Sequence, residues 1–185
     1  MKKPLSLILS AIMVLLAAMS LAETAEVTPL FSVDVALPEG YEHAEEFWIE
    51  PTVVYLLLES TDEDRPMIDI RISSEEMTGG VTFTRDTWDS DAVQNLASAL
   101  SYDAETEQYD AYDTRETADG NVVMIIHEVD YTRVLTLRYG YMLTIFVSDR
   151  SNDGASLPAG NETLDMIMKF ISDMKIFQVS AVSGN

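Results

Sequence analysis

Three apolar runs in immediate succession, Asn121 to Ser148, limit what this chain can fold into. They read NVVMIIHEVD, YTRVLTLRYG and YMLTIFVS, each rich in Val, Ile, Leu, Tyr and Phe. Asp119-Gly120-Asn121 precedes the first run, and Gly140 separates the second from the third. Short runs with β-branched and aromatic enrichment, bounded by turn residues, read as strands. Their connections are brief. Parallel neighbours need a crossover of a dozen or more residues, so the three runs predict an antiparallel meander.

The remaining elements are read outward from that meander. Phe31, Val33, Val35 and Leu37 alternate with smaller or polar residues, as a half-buried strand requires. Thr52 to Ser60 (TVVYLLLES) is nearly continuous in apolar character and reads as a strand buried on both faces. Met67 to Ile72 alternates again and predicts a hairpin with it. Asp91 to Ser101 carries Val93, Leu96 and Leu100 on one helical stripe, with Asp91 and Gln94 placed as a capping box. Asn161 is expected to cap a second helix, with Leu164, Ile167, Met168, Ile171 and Met174 at spacings of three and four. An acidic edge strand is expected between Tyr109 and Thr117. The fold class predicted from this order is α+β: a single antiparallel sheet of about six to seven strands packed against two main helices.

The N-terminus has a different character. Lys2 and Lys3 precede an apolar core from Leu5 to Leu16, and Ser20-Leu21-Ala22 places small residues where a signal peptidase needs them. Residues 1–22 therefore read as a secretory signal peptide, 23–29 as a disordered leader, 30–178 as one domain and 179–185 as a frayed tail. The rival reading is an uncleaved anchor at the cell surface, for which the apolar stretch is near the short limit of a membrane span. Cleavage after Ala22 leaves 163 of the 185 residues. It removes two of the 11 basic residues and none of the 32 acidic ones, which takes the net charge from −21 to −23. Such a surface repels nucleic acid and anionic headgroups and favours cationic partners. The chain has no Cys. That rules out disulfides, thiolate metal sites and a lipid-anchored lipoprotein, and leaves stability to an ordinary apolar core.

One resemblance is visible in this order of elements. A strand runs into Leu37-Pro38-Glu39-Gly40-Tyr41, a meander turns on Arg138-Tyr139-Gly140-Tyr141, and the last helix leads into Ile171-Ser172-Asp173-Met174-Lys175-Ile176-Phe177. This pattern resembles small secreted bacterial proteins of the PsbP-like α/β sandwich class. The resemblance implies an antiparallel sheet packed with helices and an accessory or binding role. It carries no catalytic residue over to these positions.

Candidate chemistry is sparse. His43 stands among Glu42, Glu45 and Glu46, with no second His at helical or strand spacing to complete a zinc site. His127 falls with Val123, Ile125 and Val129, and becomes a general base only beside a nucleophile. No nucleophile elbow, zinc-helix motif or Gly-rich phosphate loop is present. Carboxylate pairs such as Glu45/Glu46 and Glu75/Glu76 arise without purpose among 32 acids. A glycosidase would need two of them in a cleft with aromatic platforms, for which only Trp48 and Trp88 are available as tryptophans. Asp149, Ser151, Asp153 and Gly154 match the first half of a calcium loop. Position 12 of that loop is Gly160, and Glu162 arrives two residues late. The half-shell predicts calcium affinity no better than about 1 mM, and a turn-rich surface loop is the favoured reading.

The sequence therefore predicts a secreted, non-enzymatic accessory or binding module without a cofactor. Its partner would be a protein or cationic ligand, not nucleic acid or, after signal cleavage, membrane. The alternatives are a cell-surface hydrolase of carbohydrate or peptide using paired carboxylates, and a weakly calcium-dependent surface protein. Export makes the first prediction: N-terminal sequencing of exported material should begin at Glu23. An intact Met1 in a membrane fraction would establish the anchor instead.

Overall fold

The computed structural model describes residues 27–62, 64–74, 81–151 and 153–178. The expected signal peptide, residues 23–26 of the expected leader and the expected tail from 179 lie outside them. In chain order the strands are β1 (Phe31–Asp34), β2 (His43–Glu50), β3 (Val53–Glu59) and β4 (Met67–Ser74). Helices α1 (Arg85–Trp88) and α2 (Asp91–Leu100) follow. Then come β5 (Tyr102–Asp103), β6 (Gln108–Tyr109), β7 (Asp113–Glu116), β8 (Val122–His127), β9 (Thr132–Arg138) and β10 (Tyr141–Arg150). The described chain closes with β11 (Ser156–Pro158), α3 (Asn161–Asp173) and β12 (Lys175–Gln178).

The meander is formed by β8, β9 and β10, antiparallel and adjacent. Its second turn places both Tyr139 (φ 54°) and Gly140 (φ 83°) in the left-handed region between paired Arg138 and Tyr141. That is the two-residue turn whose twist matches a hairpin, and Gly takes its second position without strain. β4 pairs with the other side of β10, so the hairpin β3–β4 and the edge strand β2 extend the sheet to the order β2-β3-β4-β10-β9-β8-β7. β11 takes up the pairing of β10 beyond the end of β9. The expected acidic edge exists as β7.

The expected α+β class is corrected by these elements. About 46% of the described residues are in strands and 19% in helices, so the fold is mostly β, built on an eight-stranded sheet. Of the three helices, α1 is a single turn, and α2 and α3 pack on opposite faces of the sheet instead of forming one helical layer. Of the strands that the pattern did not predict, β2 is eight residues long and β5, β6, β11 and β12 are two to four. β1 was expected as a strand of the single sheet. β1 pairs with β12, residues nearly the whole chain apart, and β5 pairs with β6 over two residues each. Segments of two to four residues carry no periodic signal, and their pairing is decided by distant partners. Two helix starts also differ from expectation. Ser90, not Asp91, caps α2 by accepting from the Val93 amide, and Gln94 donates to the Trp88 carbonyl. Gly160 is the N-cap of α3, and Asn161 is its first residue.

Strand alternation separates two cores. On one face Val54, Leu56, Ile70, Ile145, Leu143 and Val134 are buried against the α3 stripe of Leu164, Ile167, Met168, Ile171 and Met174. Phe31 closes the side of this core, with its ring centroid 4.8 Å from Trp48 and 4.9 Å from Tyr141. Each such side chain, fully buried, contributes about 1.5–3 kcal/mol. On the other face Val122, Met124, Ile126, Leu135 and Leu137 pack under Phe83, Val93 and Ala97. This second core belongs to β8 and β9.

Sheet residues also hold both ends of α3. Asp149 of β10 accepts from the Gly160 amide at 2.7 Å and from the Thr163 hydroxyl at 2.7 Å. Arg138 of β9, nearly buried, donates to the Ile171 and Ser172 carbonyls at 2.5 and 3.4 Å and pairs with Asp119 at 2.6 Å. Arg115 of β7 reaches Asn161 and Asp165 from the same face. A carboxylate at the start of the helix and a guanidinium at its end both oppose the helix dipole. Asp149→Ala should therefore cost about 0.5–2 kcal/mol, as loss of a helix cap does. The loss should appear in a denaturant titration with EDTA present, whereas Asp153→Ala should stay within about 0.5 kcal/mol of wild type. Equal losses for the two variants would contradict this assignment.

Candidate binding face

The face of β2, β3, β4 and β10 that points away from α3 is unlike the rest of the sheet. Register defines its rows. Phe47, Tyr55, Arg71 and Thr144 are successive cross-strand partners, and so are Glu45, Leu57, Asp69, Phe146 and Arg133. Directly opposed side chains in such rows stand about 4.5–5.5 Å apart at Cβ. Tyr55, Leu57 and Phe146 remain 37%, 36% and 38% exposed, while Leu56 and Ile145, which point to the other face, are buried. Met67 continues the apolar surface toward the start of β4. Tyr131 lies beside Phe146, with ring centroids 5.9 Å apart.

The reading of Thr52–Ser60 as a strand buried on both sides is thus corrected. Val54, Leu56 and Leu58 are buried, and Tyr55 and Leu57 face outward on the alternate side. Among the described residues, α2 and Phe83 cover β8 and β9 but leave these strands open. The excess of apolar residues in β3 was the available signal. Periodicity does not distinguish a strand covered by its own domain from one left open.

Charge is placed unevenly on this face. Arg133 is held by Asp110 at 2.7 Å and Glu128 at 3.6 Å. Desolvation raises the pKa of Glu128, against the pull of Arg133. Arg71 donates to the Ser73 hydroxyl at 2.9 Å. Asp69 is half-buried between Leu57 and Phe146, and burial raises its pKa. Among the described residues no hydrogen bond or ion pair reaches its carboxylate.

The face runs into a cleft of about 410 Å³ at the β3–β4 turn, lined by Leu57, Met67, Tyr41, Glu59, Arg65 and Arg150 among others. Tyr41 donates from its hydroxyl to the Pro66 carbonyl at 2.6 Å, and burial pushes its pKa up to about 12. Arg65 lies across Gly40, where a Cβ would come within 2.5 Å of the guanidinium. Tyr41 and Arg65 thus brace the wall of the cleft.

The residues singled out from sequence fall elsewhere. Asp149 turns both carboxylate oxygens to the start of α3. Ser151 and Asp153 bond to each other, and Ser151 also closes the turn by accepting from the Ala155 amide at 3.0 Å. The Ser151 hydroxyl, with backbone donors behind it, holds the Asp153 pKa below its usual value. The fold therefore does not aim Asp149 and Asp153 at a common point. His43 begins β2. His127 is exposed, and its Nδ1 lies 3.1 Å from the hydroxyl of Thr132. That hydroxyl is fully buried and accepts from the Ala159 amide, so no substrate reaches it. Val129, expected on the same face, is instead 92% exposed. Glu45 and Glu46 point to opposite faces of β2, and Glu75/Glu76 lie outside the described residues. Trp48 packs in the α3 core and Trp88 in the other, on opposite sides of the sheet. Beside Trp88 a shallow cleft of about 290 Å³ contains Asp89 and Glu116, with Glu116 tied to Arg85 at 2.5 Å. Among the described residues no group of three or more His, Asp or Glu is arranged to hold a metal ion. No helix among them is long and apolar enough to cross a membrane.

Comparison with protein-family models, curated proteins and solved structures finds no match to this chain.

An unpartnered carboxylate half removed from water costs stability. Because the pKa of Asp69 is higher in the folded chain than its ordinary value of 3.8, the native state binds the extra proton. Stability contributed at this position therefore falls as pH rises above 3.8. Asp69→Asn should melt at a higher temperature than wild type at pH 7, with the difference shrinking as pH falls toward 4. A lower melting temperature at pH 7 would mean that the carboxylate is stabilised where it stands.

Proposed function

We propose that this protein is an exported, non-enzymatic binding module that docks a protein partner on the open face of β2, β3, β4 and β10. The observation that carries this reading is the row of half-exposed apolar side chains, Tyr55, Leu57 and Phe146, on three neighbouring strands. Contiguous apolar patches on a folded surface mark interaction sites. Aromatic residues on a rigid sheet are effective anchors because few torsions are lost on binding. The signal-peptide layout of residues 1–22 supports export of the module, with a net charge of −23 after cleavage. The PsbP-like resemblance belongs to the same proposal, since it implies an accessory or binding role.

Site-specific photo-crosslinking in the producing cells tests the reading. A benzophenone amino acid at position 146 or 55 should yield a discrete adduct, and one at position 129, far more exposed but off the face, should not. The adduct from 146 should disappear when Tyr55 and Leu57 are both changed to Ser. Absence of an adduct from either face position, or the same adducts from position 129, would overturn the proposal.

A further inference from the structure

We infer that the open face recognises its protein partner through one basic side chain, Lys or Arg, seated on Asp69 among the surrounding aromatic residues. This rests on the docking role proposed for that face and adds the chemistry of what it receives.

The placement of Asp69 is the first ground. It occupies the middle of a five-strand row, with Leu57 on one side and Phe146 on the other. Acidic residues that only confer solubility sit at rims and in loops, fully hydrated. Asp69 stands between Leu57 and Phe146, where burial strips water from its charge. The neighbouring cations are engaged with other groups: Arg71 donates to Ser73, and Arg133 is held by Asp110 and Glu128. The face thus contains a carboxylate whose natural complement is absent among the described residues.

The surroundings specify that complement. Phe146 faces the carboxylate in register and Tyr55 stands diagonally from it on β3, and ring faces attract an ammonium or guanidinium. The same rings and Leu57 can cover the methylenes of a long basic side chain while its head meets Asp69. A charge pair made within an apolar patch sets orientation and excludes wrong partners more than it adds raw affinity. The long-range field agrees: a net charge of −21, or −23 after cleavage, attracts a basic partner. It also opposes a second copy of this chain, which would bring the same charge and another Asp69 to the contact. An anionic lipid surface is repelled for the same reason.

The test uses two synthetic β-hairpin peptides that are identical except at the centre of one apolar face, where one has Lys and the other norleucine. Each is titrated into isotopically labelled mature protein and followed by amide chemical shifts. The Lys peptide should shift amides of residues 55–57, 67–71 and 144–146 and bind at least ten-fold more tightly than the norleucine peptide. Asp69→Asn should remove that preference. Asp91→Asn, on α2, and Glu162→Gln, on α3, should leave it in place. A preference that survives Asp69→Asn would assign it to diffuse charge and overturn the inference. Equal binding of both peptides would overturn it too, while leaving the apolar docking face intact. Shifts from neither peptide would also overturn it, and the adduct from position 146 then decides separately whether the face docks a partner. Sedimentation showing a dimer that Asp69→Asn disperses would make a second copy the occupant, again overturning the inference.

Discussion

Docking of α3 on the sheet is the interaction on which the rest of this structure depends. The helix brings a stripe of Leu164, Ile167, Met168, Ile171 and Met174 onto side chains from β3, β4, β10, β9 and β8. Apolar burial supplies the driving force, but it is non-directional and would tolerate sliding. Direction comes from the polar contacts. Asp149 meets the first turn, Arg138 meets the last carbonyls, and Arg115 holds the side through Asn161 and Asp165. All three lie on the same face of the sheet because alternation places them there, each on a different strand. The axis of the helix is thereby set against the strands. Its exit then places β12 beside β1, and β1 delivers Phe31 to the edge of the same core.

Coverage of the two faces is unequal, and the inequality creates the candidate site. α3 contributes six buried residues to one face. Among the described residues, the ten-residue α2 and the single turn α1 serve the other, chiefly over β8 and β9. An antiparallel sheet can leave one face to water, and usually does so with polar side chains. Here Tyr55, Leu57, Met67 and Phe146 occupy part of that face instead. An open apolar face lowers solubility. The large negative charge counters that, because like-charged molecules stay apart in solution. The acidity and the patch are therefore parts of one physical arrangement, in which like charge opposes self-association through exposed apolar surface. Edge strand β7 shows the same management on a small scale, since Asp113, Arg115 and Glu116 protect its unpaired side.

Local pattern was legible in the chain wherever an element was long enough to show a period. The meander, the β3–β4 hairpin, α2 and α3 follow from spacings of two and of three to four. The pairing of short strands was not legible. Nothing in Phe31–Asp34 indicates that its partner is Lys175–Gln178, and pairing over two to four residues depends on the fold that surrounds it. The balance between helix and sheet was misjudged for this reason, and the fold is mostly β. Asp149 shows a related limit. Its spacing to Ser151, Asp153 and Gly154 suggests half of a calcium loop. The fold turns Asp149 toward a helix terminus eleven residues on, a contact that loop spacing cannot reveal.

The sequence by itself determined the antiparallel meander, the apolar stripes of the two longer helices, the absence of thiol chemistry and the acidic charge. These depend on residue type and on neighbours within a few positions. Which strand faces are covered was decided only by the tertiary structure. Val54 and Tyr55 are adjacent in a run that is apolar throughout, and no local rule separates them. Val54 is buried because α3 lies on its side of the sheet, while Tyr55 is exposed because α2 stops over β8 and β9. Asp69 likewise takes its character from strands on either side. Its position between Leu57 and Phe146 exists only once β3, β4 and β10 are paired in register. Burial and desolvation arise from contacts between distant segments, and a one-dimensional pattern does not contain them.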